Sequence, residues 1–146
     1  MDGANLMRTI TAAFGEGNIK PLMDAIHNDV VWKSASKQPG LFSFAGSHLN
    51  RIGVVEVLAK IANRYTFLRF EPKEIVEQGD LVWGLFDTKL SYRPPHGKPP
   101  KKLAIEIAIR WKLRDGKIIE HQAFFDTASM LVQQGVIPDR VSAPDN

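Results

Sequence analysis

A strict alternation of apolar and polar residues late in the chain constrains the fold more than any other feature. Between residues 103 and 113 every second side chain is apolar, namely Leu103, Ile105, Ile107, Ile109 and Trp111. Successive side chains of a β-strand point to opposite faces, so this period of two predicts a strand with one buried face. The opposite face carries Ala104, Glu106, Ala108 and Arg110. Such a sheet needs other elements to cover its apolar face.

Neighbouring segments predict an antiparallel meander around this strand. Asp115-Gly116 is a hairpin turn signal, and residues 118–125 return as the last strand. Upstream, strands are predicted over 70–77 and 81–92, joined by a turn at 78–80. The proline-rich stretch 93–102 predicts a wide hairpin loop, because proline cannot donate to a strand ladder.

The first half of the chain has helical spacing instead. Helices are predicted from Leu6 to Phe14, from about residue 19 to Asn28, and over about 53–65, with a short strand at 30–32. Residues 34–50 form a loop that could cover a core, and residues 127–134 form a last short helix. The fold class is therefore α+β: a curved mixed or antiparallel sheet packed against three N-terminal helices. One domain is predicted over residues 1–137, with a loose tail over 138–146.

Composition excludes several function classes. The chain has 146 residues, 44% hydrophobic and 24% charged, which fits one globular domain without a membrane span. The first residues do not have the pattern of a signal peptide. The absence of cysteine excludes disulfides and thiolate zinc sites and suits a cytoplasmic location. The net charge of +3 is small, and its most concentrated source, Lys98, Lys101 and Lys102, lies in the proline-rich loop and not along a helix. No nucleic-acid partner is therefore expected.

Motifs for metals and cofactors are missing as well. No histidine pair has metal-ligand spacing, and there is no glycine-rich phosphate loop, dinucleotide fingerprint or nucleophile elbow. We therefore expect neither a metal nor a cofactor.

The order of elements resembles that of a known superfamily. The resemblance rests on the segments NIKPLMDAIHNDVVW (18–32) and RDGKIIEHQAFFD (114–126) and on the short C-terminal helix. The chain is similar to the SnoaL-like and ketosteroid-isomerase-related branch of the nuclear transport factor 2-like proteins. The resemblance implies a sheet rolled into a cone, a pocket at its open end and a homodimer. The superfamily includes isomerases, cyclases, epoxide hydrolases, dehydratases and non-catalytic binders, so the fold does not settle the function.

The carboxylates that the resemblance implies for a ketosteroid isomerase are absent here. Ser34 stands near the position of the base, two residues after Trp32, and a serine is no proton shuttle without a base beside it. The strand that should supply the acid presents Ile107, Ile109 and Trp111 inward. Steroid isomerisation by that mechanism is not predicted.

Two other residues are the candidate catalytic pair. The resemblance implies a cyclase aspartate near the chain end, which Asp126 fits, and His121 lies on the preceding strand. By alternation Ile119, His121, Ala123 and Phe125 share the face taken as the interior. A buried histidine there would be neutral and able to accept a proton near pH 7, with Asp126 as its partner or as the base. The alternatives are that Asp126 caps the last helix and that His121 is an ordinary core residue.

Glu106 and Arg110 have two interpretations. With Lys112 and Glu120 they form a charge network on the outer face of the sheet, or, if the facing is inverted, they are a pocket acid and its partner.

The remaining pocket candidates describe a site for a small apolar organic ligand. They are Trp32, Ser34, His48, Tyr65, Trp83, Phe86, Ile109, Trp111 and Phe125. One hypothesis is a cofactor-independent isomerase, cyclase or hydrolase acting on an apolar carbonyl or epoxide compound. The alternatives are a non-catalytic binder and a protein-interaction module, and the sequence does not decide whether the protein is an enzyme.

Overall fold

The computed structural model describes residues 2–38 and 40–139. Its helices are α1 (Gly3–Gly15), α2 (Lys20–Ala25), α3 (Asn50–Arg64) and α4 (Thr127–Gln134). Its strands are β1 (Ile26–Lys33), β2 (Ser47–Leu49), β3 (Tyr65–Gln78), β4 (Leu81–Tyr92), β5 (Lys101–Arg114) and β6 (Lys117–Phe124). The α+β class is confirmed. The domain boundary at residue 137 and the loose tail over 138–146 stay predictions, and residues 140–146 lie outside the described part.

All six strands form one curved sheet, in the order β2-β1-β6-β5-β4-β3. β1 and β6 run parallel, and every other neighbouring pair runs antiparallel. The alternation predicted for β5 is present, because Leu103, Ile105, Ile109 and Trp111 are buried on one face. This side of the sheet therefore faces the core.

The helices cover that apolar face. α1 packs against β3 and β4, and α3 packs against β1. Met7 and Ile10 of α1 and Val54 and Val57 of α3 are buried in the resulting core. The side chain of Asp2 caps α1 by accepting from the backbone N–H of Asn5 at 2.8 Å, which satisfies one of the unpaired amides of the first turn.

Several element boundaries differ from the predicted ones, and β3 begins at Tyr65, five residues earlier than predicted. The second helix ends at Ala25 and β1 begins at Ile26, because Ile26 is buried opposite Ile118 of the parallel strand β6. α3 begins at Asn50, whose side chain accepts from the amides of Ile52 and Gly53. The loop over 34–50 contains the short strand β2, which pairs with β1.

The facing predicted for Ile119 is wrong. The ladder between β5 and β6 shifts by one residue, so Lys112 opposes Glu120 while Leu113 opposes Ile118. Such a bulge gives one strand an extra residue and reverses the facing on one side of it. Ile118 is consequently the fully buried residue, whereas His121 keeps its predicted inward facing.

In the part of the chain that the structure describes, no helix has both the length and the apolar character needed to span a membrane.

We expect Gly84→Ala to destabilise the protein. A Cβ atom at residue 84 would lie 2.6 Å from Cε2 of Phe86 and 2.7 Å from Sδ of Met7, and both of these side chains are fully buried. Overpacking of this kind lowers the free energy of unfolding by about 1–3 kcal/mol, which urea denaturation measures. Gly40→Ala is the control, since its Cβ would meet no atom within 4 Å. Equal midpoints for the two variants would contradict the packing described for β4.

Candidate functional site

A cavity of about 120 Å³ lies between the apolar face of the sheet and the helices. α1 lines it with Ile10, Thr11 and Phe14, and α3 lines it with Val57 and Ile61. The sheet contributes Phe67, Phe70, Leu90, Ile107, Ile109 and Ala123. These side chains are the apolar positions of the helices and strands that surround the space. The wall is consequently almost entirely carbon.

Few polar groups reach this wall. None of the lining residues in the described part is an aspartate or a glutamate. Thr11 donates its hydroxyl to the carbonyl of Met7 at 2.7 Å, and the hydroxyl of Tyr65 is hydrogen-bonded by the side-chain amide of Gln134. Burial raises the pKa of Tyr65 to about 12, so this phenol stays neutral. Besides the exposed Lys33, the lining side chains left to donate to a ligand are His121 through Nε2, Trp32 through Nε1, and Ser34 and Tyr65 through their hydroxyls.

His121 is held between two tryptophans on neighbouring strands. Trp32 of β1 and Trp111 of β5 are both the register partners of His121 on β6. The imidazole stacks on the indole of Trp32, with ring centroids 3.5 Å apart and planes 10° apart. On its other side, Nε1 of Trp111 donates a hydrogen bond to Nδ1 of His121 at 2.9 Å. The three residues form one row across the sheet.

This row fixes the protonation of the histidine. An indole N–H can only donate, so Nδ1 of His121 must be the acceptor, and the neutral ring carries its proton on Nε2. Burial lowers the pKa of His121 to about 3, since the charged imidazolium would lose its hydration. His121 is therefore a neutral hydrogen-bond donor, whereas the sequence pattern predicts a proton acceptor near pH 7.

The donor atom faces available space. Nε2 of His121 has no hydrogen-bond partner among the described residues. Among these residues, the unpartnered polar side-chain atom that is completely enclosed is Oγ of Ser34, so Nε2 of His121 is not completely enclosed. It consequently keeps accessible surface, and His121 is part of the cavity wall. The Nε2–H group can donate to an oxygen of a bound molecule.

Asp126 is not brought to the cavity. It is exposed, and its Oδ1 accepts from the backbone N–H of Ser129 at 2.9 Å, which makes it the cap of α4. The position on Nδ1 of His121 that a partner aspartate would need is occupied by Trp111. The helix-cap interpretation accounts for every contact of this carboxylate.

The structure places the other pocket candidates in two groups. On the cavity wall lie Trp32, Ser34, Tyr65, Ile109, Trp111 and Phe125. Phe86 is fully buried behind Phe70, with ring centroids 5.0 Å apart, and does not reach the cavity. His48 sits on β2 and its Nε2 contacts the carbonyl of Phe44 at 3.1 Å, so it holds the loop instead.

Trp83 lies on the opposite side of the sheet from the cavity. It alternates with Gly84 and Phe86 along β4, so it must point outward when they point inward. Its indole is 40% exposed and stacks on Phe124, with ring centroids 6.0 Å apart. Assigning Trp83 to the pocket conflicts with the period of two.

Glu106 and Arg110 face outward. Glu106 pairs with Lys73 of β3 at 2.6 Å, and Arg110 pairs with Glu120 of β6 at 2.9 Å. The hydrogen bond from Arg110 lowers the pKa of the Glu120 carboxyl. The two residues thus belong to charge pairs on the outer surface, and neither is a pocket acid.

One group of lining residues was not predicted. Phe44 lies in the loop after β1 and packs on Phe125 and Tyr65, with ring centroids 6.3 Å and 5.8 Å apart. Met130 reaches the cavity from α4. Helical spacing does mark Ile10, Phe14 and Ile61 as buried, but only the packing of the helices on the sheet shows that they border a cavity.

Comparisons with known proteins agree with this architecture. A model of the SnoaL-like domain family matches residues 7–121. A nuclear transport factor 2-like protein of unknown function from Burkholderia pseudomallei K96243 is similar with a TM-score of 0.78, at 18% identity over 91% of this chain and 98% of that chain. A provisionally assigned polyketide cyclase from Pseudomonas putida KT2440 has a TM-score of 0.73, at 15% identity over 91% and 98%.

A third similar structure is that of TerC co-crystallised with polyporic acid. Its TM-score is 0.71, at 22% identity over 90% of this chain and 96% of that chain. At such identities the likeness shows the fold alone. No curated protein gives a significant match.

We expect His121 to make the stability depend on pH in acid. Its pKa is lowered to about 3 in the folded state from 6.5, so between these values the unfolded chain binds the additional proton. The free energy of unfolding therefore falls as the pH is lowered, by about 2 kcal/mol between pH 8 and pH 5. Urea denaturation at several pH values measures this.

His121→Gln should lose most of this dependence in that range, and His96→Gln, which changes an exposed loop residue, should keep it. A wild-type stability that does not change between pH 8 and pH 5 would show that His121 titrates normally.

Proposed function

The chain belongs to the SnoaL-like domain family, and from that membership we propose that it binds a small apolar compound bearing an acceptor oxygen, such as a carbonyl or an epoxide. The observation that carries this proposal is the Nε2–H group of His121 on an otherwise carbon-lined cavity. Concave apolar sites with a few placed polar groups are typical of small-molecule binding. The ligand's oxygen would accept from His121 while the rest of the molecule contacts carbon.

Catalysis is the second candidate function. A neutral histidine can polarise a carbonyl, as in the triosephosphate isomerase case in which a lowered pKa keeps the imidazole neutral. An isomerase, cyclase or hydrolase also needs a group that accepts a proton. The described cavity wall has no carboxylate, and Asp126 caps α4. Binding is therefore supported better than turnover on an apolar carbonyl or epoxide.

A homodimer is also proposed, with the outer face of the sheet as its interface. Trp83 and Phe124 stack there with 40% of each side chain exposed, and Val76, the register partner of Trp83, is 62% exposed. Adjacent to them, Leu85 and Ala108 continue the same apolar surface. Contiguous exposed apolar patches of this kind mark interaction surfaces.

Filling the cavity should abolish ligand binding. Ala123→Phe places a ring in the space beside His121, so we expect at least a tenfold loss of affinity for small apolar probes such as acetophenone and ethylbenzene, measured by isothermal titration calorimetry. Ala104→Phe is the matched control, because it adds the same ring at an exposed outward position of β5 that lies outside the apolar patch. Unchanged binding by a folded Ala123→Phe protein would contradict the proposed site.

Introducing a charge into the outer patch should separate the subunits. We expect Trp83→Glu to weaken dimerisation at least tenfold, because the new carboxylate would be buried in the interface while the neighbouring guanidinium of Arg110 is already paired with Glu120. Analytical ultracentrifugation measures the change. Lys89→Glu, on an exposed position of the same strand, should leave association nearly unchanged. A wild-type protein that is monomeric at every concentration measured would rule the interface out.

A further inference from the structure

We infer that the ligand is a neutral, single-ring ketone or aldehyde. This inference rests on the proposed binding function and narrows it to one substrate class. Three properties of the cavity support this inference. They are its size, the lack of a buried charge on its wall, and the two hydrogen-bonding side chains of His121 and Ser34 on that wall.

The size of the cavity limits the ligand to one ring. Its volume is about 120 Å³, whereas an engineered apolar cavity of about 150 Å³ in another protein accommodates benzene. Aromatic clusters narrow the space, since Phe14 contacts Phe67 and Phe70 with ring centroids 5.2 Å and 5.9 Å apart, and Phe44 packs near Phe125. A fused two-ring or larger skeleton exceeds this volume, since the cavity is smaller than the one that accommodates benzene.

The charges around the cavity favour a neutral ligand. Lys33 is the one lining residue in the described part with an ionised side chain, and it is exposed. It alternates with Trp32 along β1, so its ammonium group points away from the cavity face. His121 is neutral. A carboxylate or an ammonium group in this cavity would therefore lose its hydration without gaining a partner of opposite charge.

Two side chains of the wall, His121 and Ser34, favour a carbonyl oxygen. His121 stacks on Trp32, and Ser34 follows Trp32 by two residues on the same wall. The Oγ of Ser34 is buried with no hydrogen-bond partner among the described residues, which is an unfavourable state for a hydroxyl. Rotation about its side-chain torsion would turn this hydroxyl to a bound molecule. A carbonyl oxygen has two lone pairs and can accept from both groups.

The test compares ligands that differ in one property each. We expect wild-type protein to bind acetophenone at least tenfold more tightly than ethylbenzene, which has the same carbon skeleton without the oxygen. Benzoate, which adds a charge, and 2-acetylnaphthalene, which adds a ring, should each bind at least tenfold more weakly than acetophenone. Isothermal titration calorimetry at neutral pH gives all four affinities.

Two variants test which residues cause the preference for acetophenone over ethylbenzene. His121→Phe should remove the preference for acetophenone over ethylbenzene. Ser34→Ala should weaken acetophenone severalfold and leave ethylbenzene unchanged, and it keeps the inference testable if the first variant does not fold, because it removes only an unpartnered hydroxyl. Ser91→Ala, which lies outside the cavity wall, should bind like the wild type.

The outcomes separate this inference from the proposed function. Ethylbenzene binding as tightly as acetophenone, or the two-ring ketone or benzoate binding more tightly, would overturn the single-ring carbonyl class while leaving an apolar binding site. If none of the neutral probes binds, the proposed function itself fails.

Discussion

The row of Trp32, His121 and Trp111 across three strands is the constraint on which the site depends. It exists only because β6 pairs in parallel with β1 on one side and antiparallel with β5 on the other, with both ladders in register at His121. The indole N–H of Trp111 needs an acceptor when it is buried, and Nδ1 of the histidine supplies it. Each group thereby satisfies the other, and the stacking on Trp32 holds the ring in place.

The chemistry of the cavity follows from that row. Because Nδ1 is occupied and burial disfavours the imidazolium, His121 offers a neutral N–H donor to the site and does not serve as its proton acceptor. A site for proton transfer would need paired groups whose pKa values are pushed apart. In this chain the candidate partner, Asp126, instead satisfies an unpaired amide at the start of α4. This difference is the reason that we propose the binding of a carbonyl compound in preference to its isomerisation.

Sequence patterns predicted the facing of the sheet but not the roles within it. The alternation along β5 places Ile109 and Trp111 inward because the period of two is a local property of a strand. The same rule places Trp83 on the outer face. Its prediction as a pocket residue was wrong because it was based on the aromatic side chain and not on the alternation. The tautomer of His121 could not be predicted from the sequence. It is set by the hydrogen bond from Trp111 on another strand, and that contact depends on the pairing register between the two strands. The bulge that buries Ile118 instead of Ile119 could not be predicted either, because it also depends on the pairing register between β5 and β6.

The alternation along β6 connects the two surfaces for which we propose functions. His121, Ala123 and Phe125 line the cavity, whereas the residues between them face outward, where Phe124 joins Trp83 on the exposed patch. Since the period is two, a slip of one residue in the β6 ladder would exchange both sets at once. The patch would then lose Phe124, and the cavity would lose the one histidine among its described lining residues. The bulge next to Ile118 stands before this segment, so it sets the register on which the donor and the patch both rely.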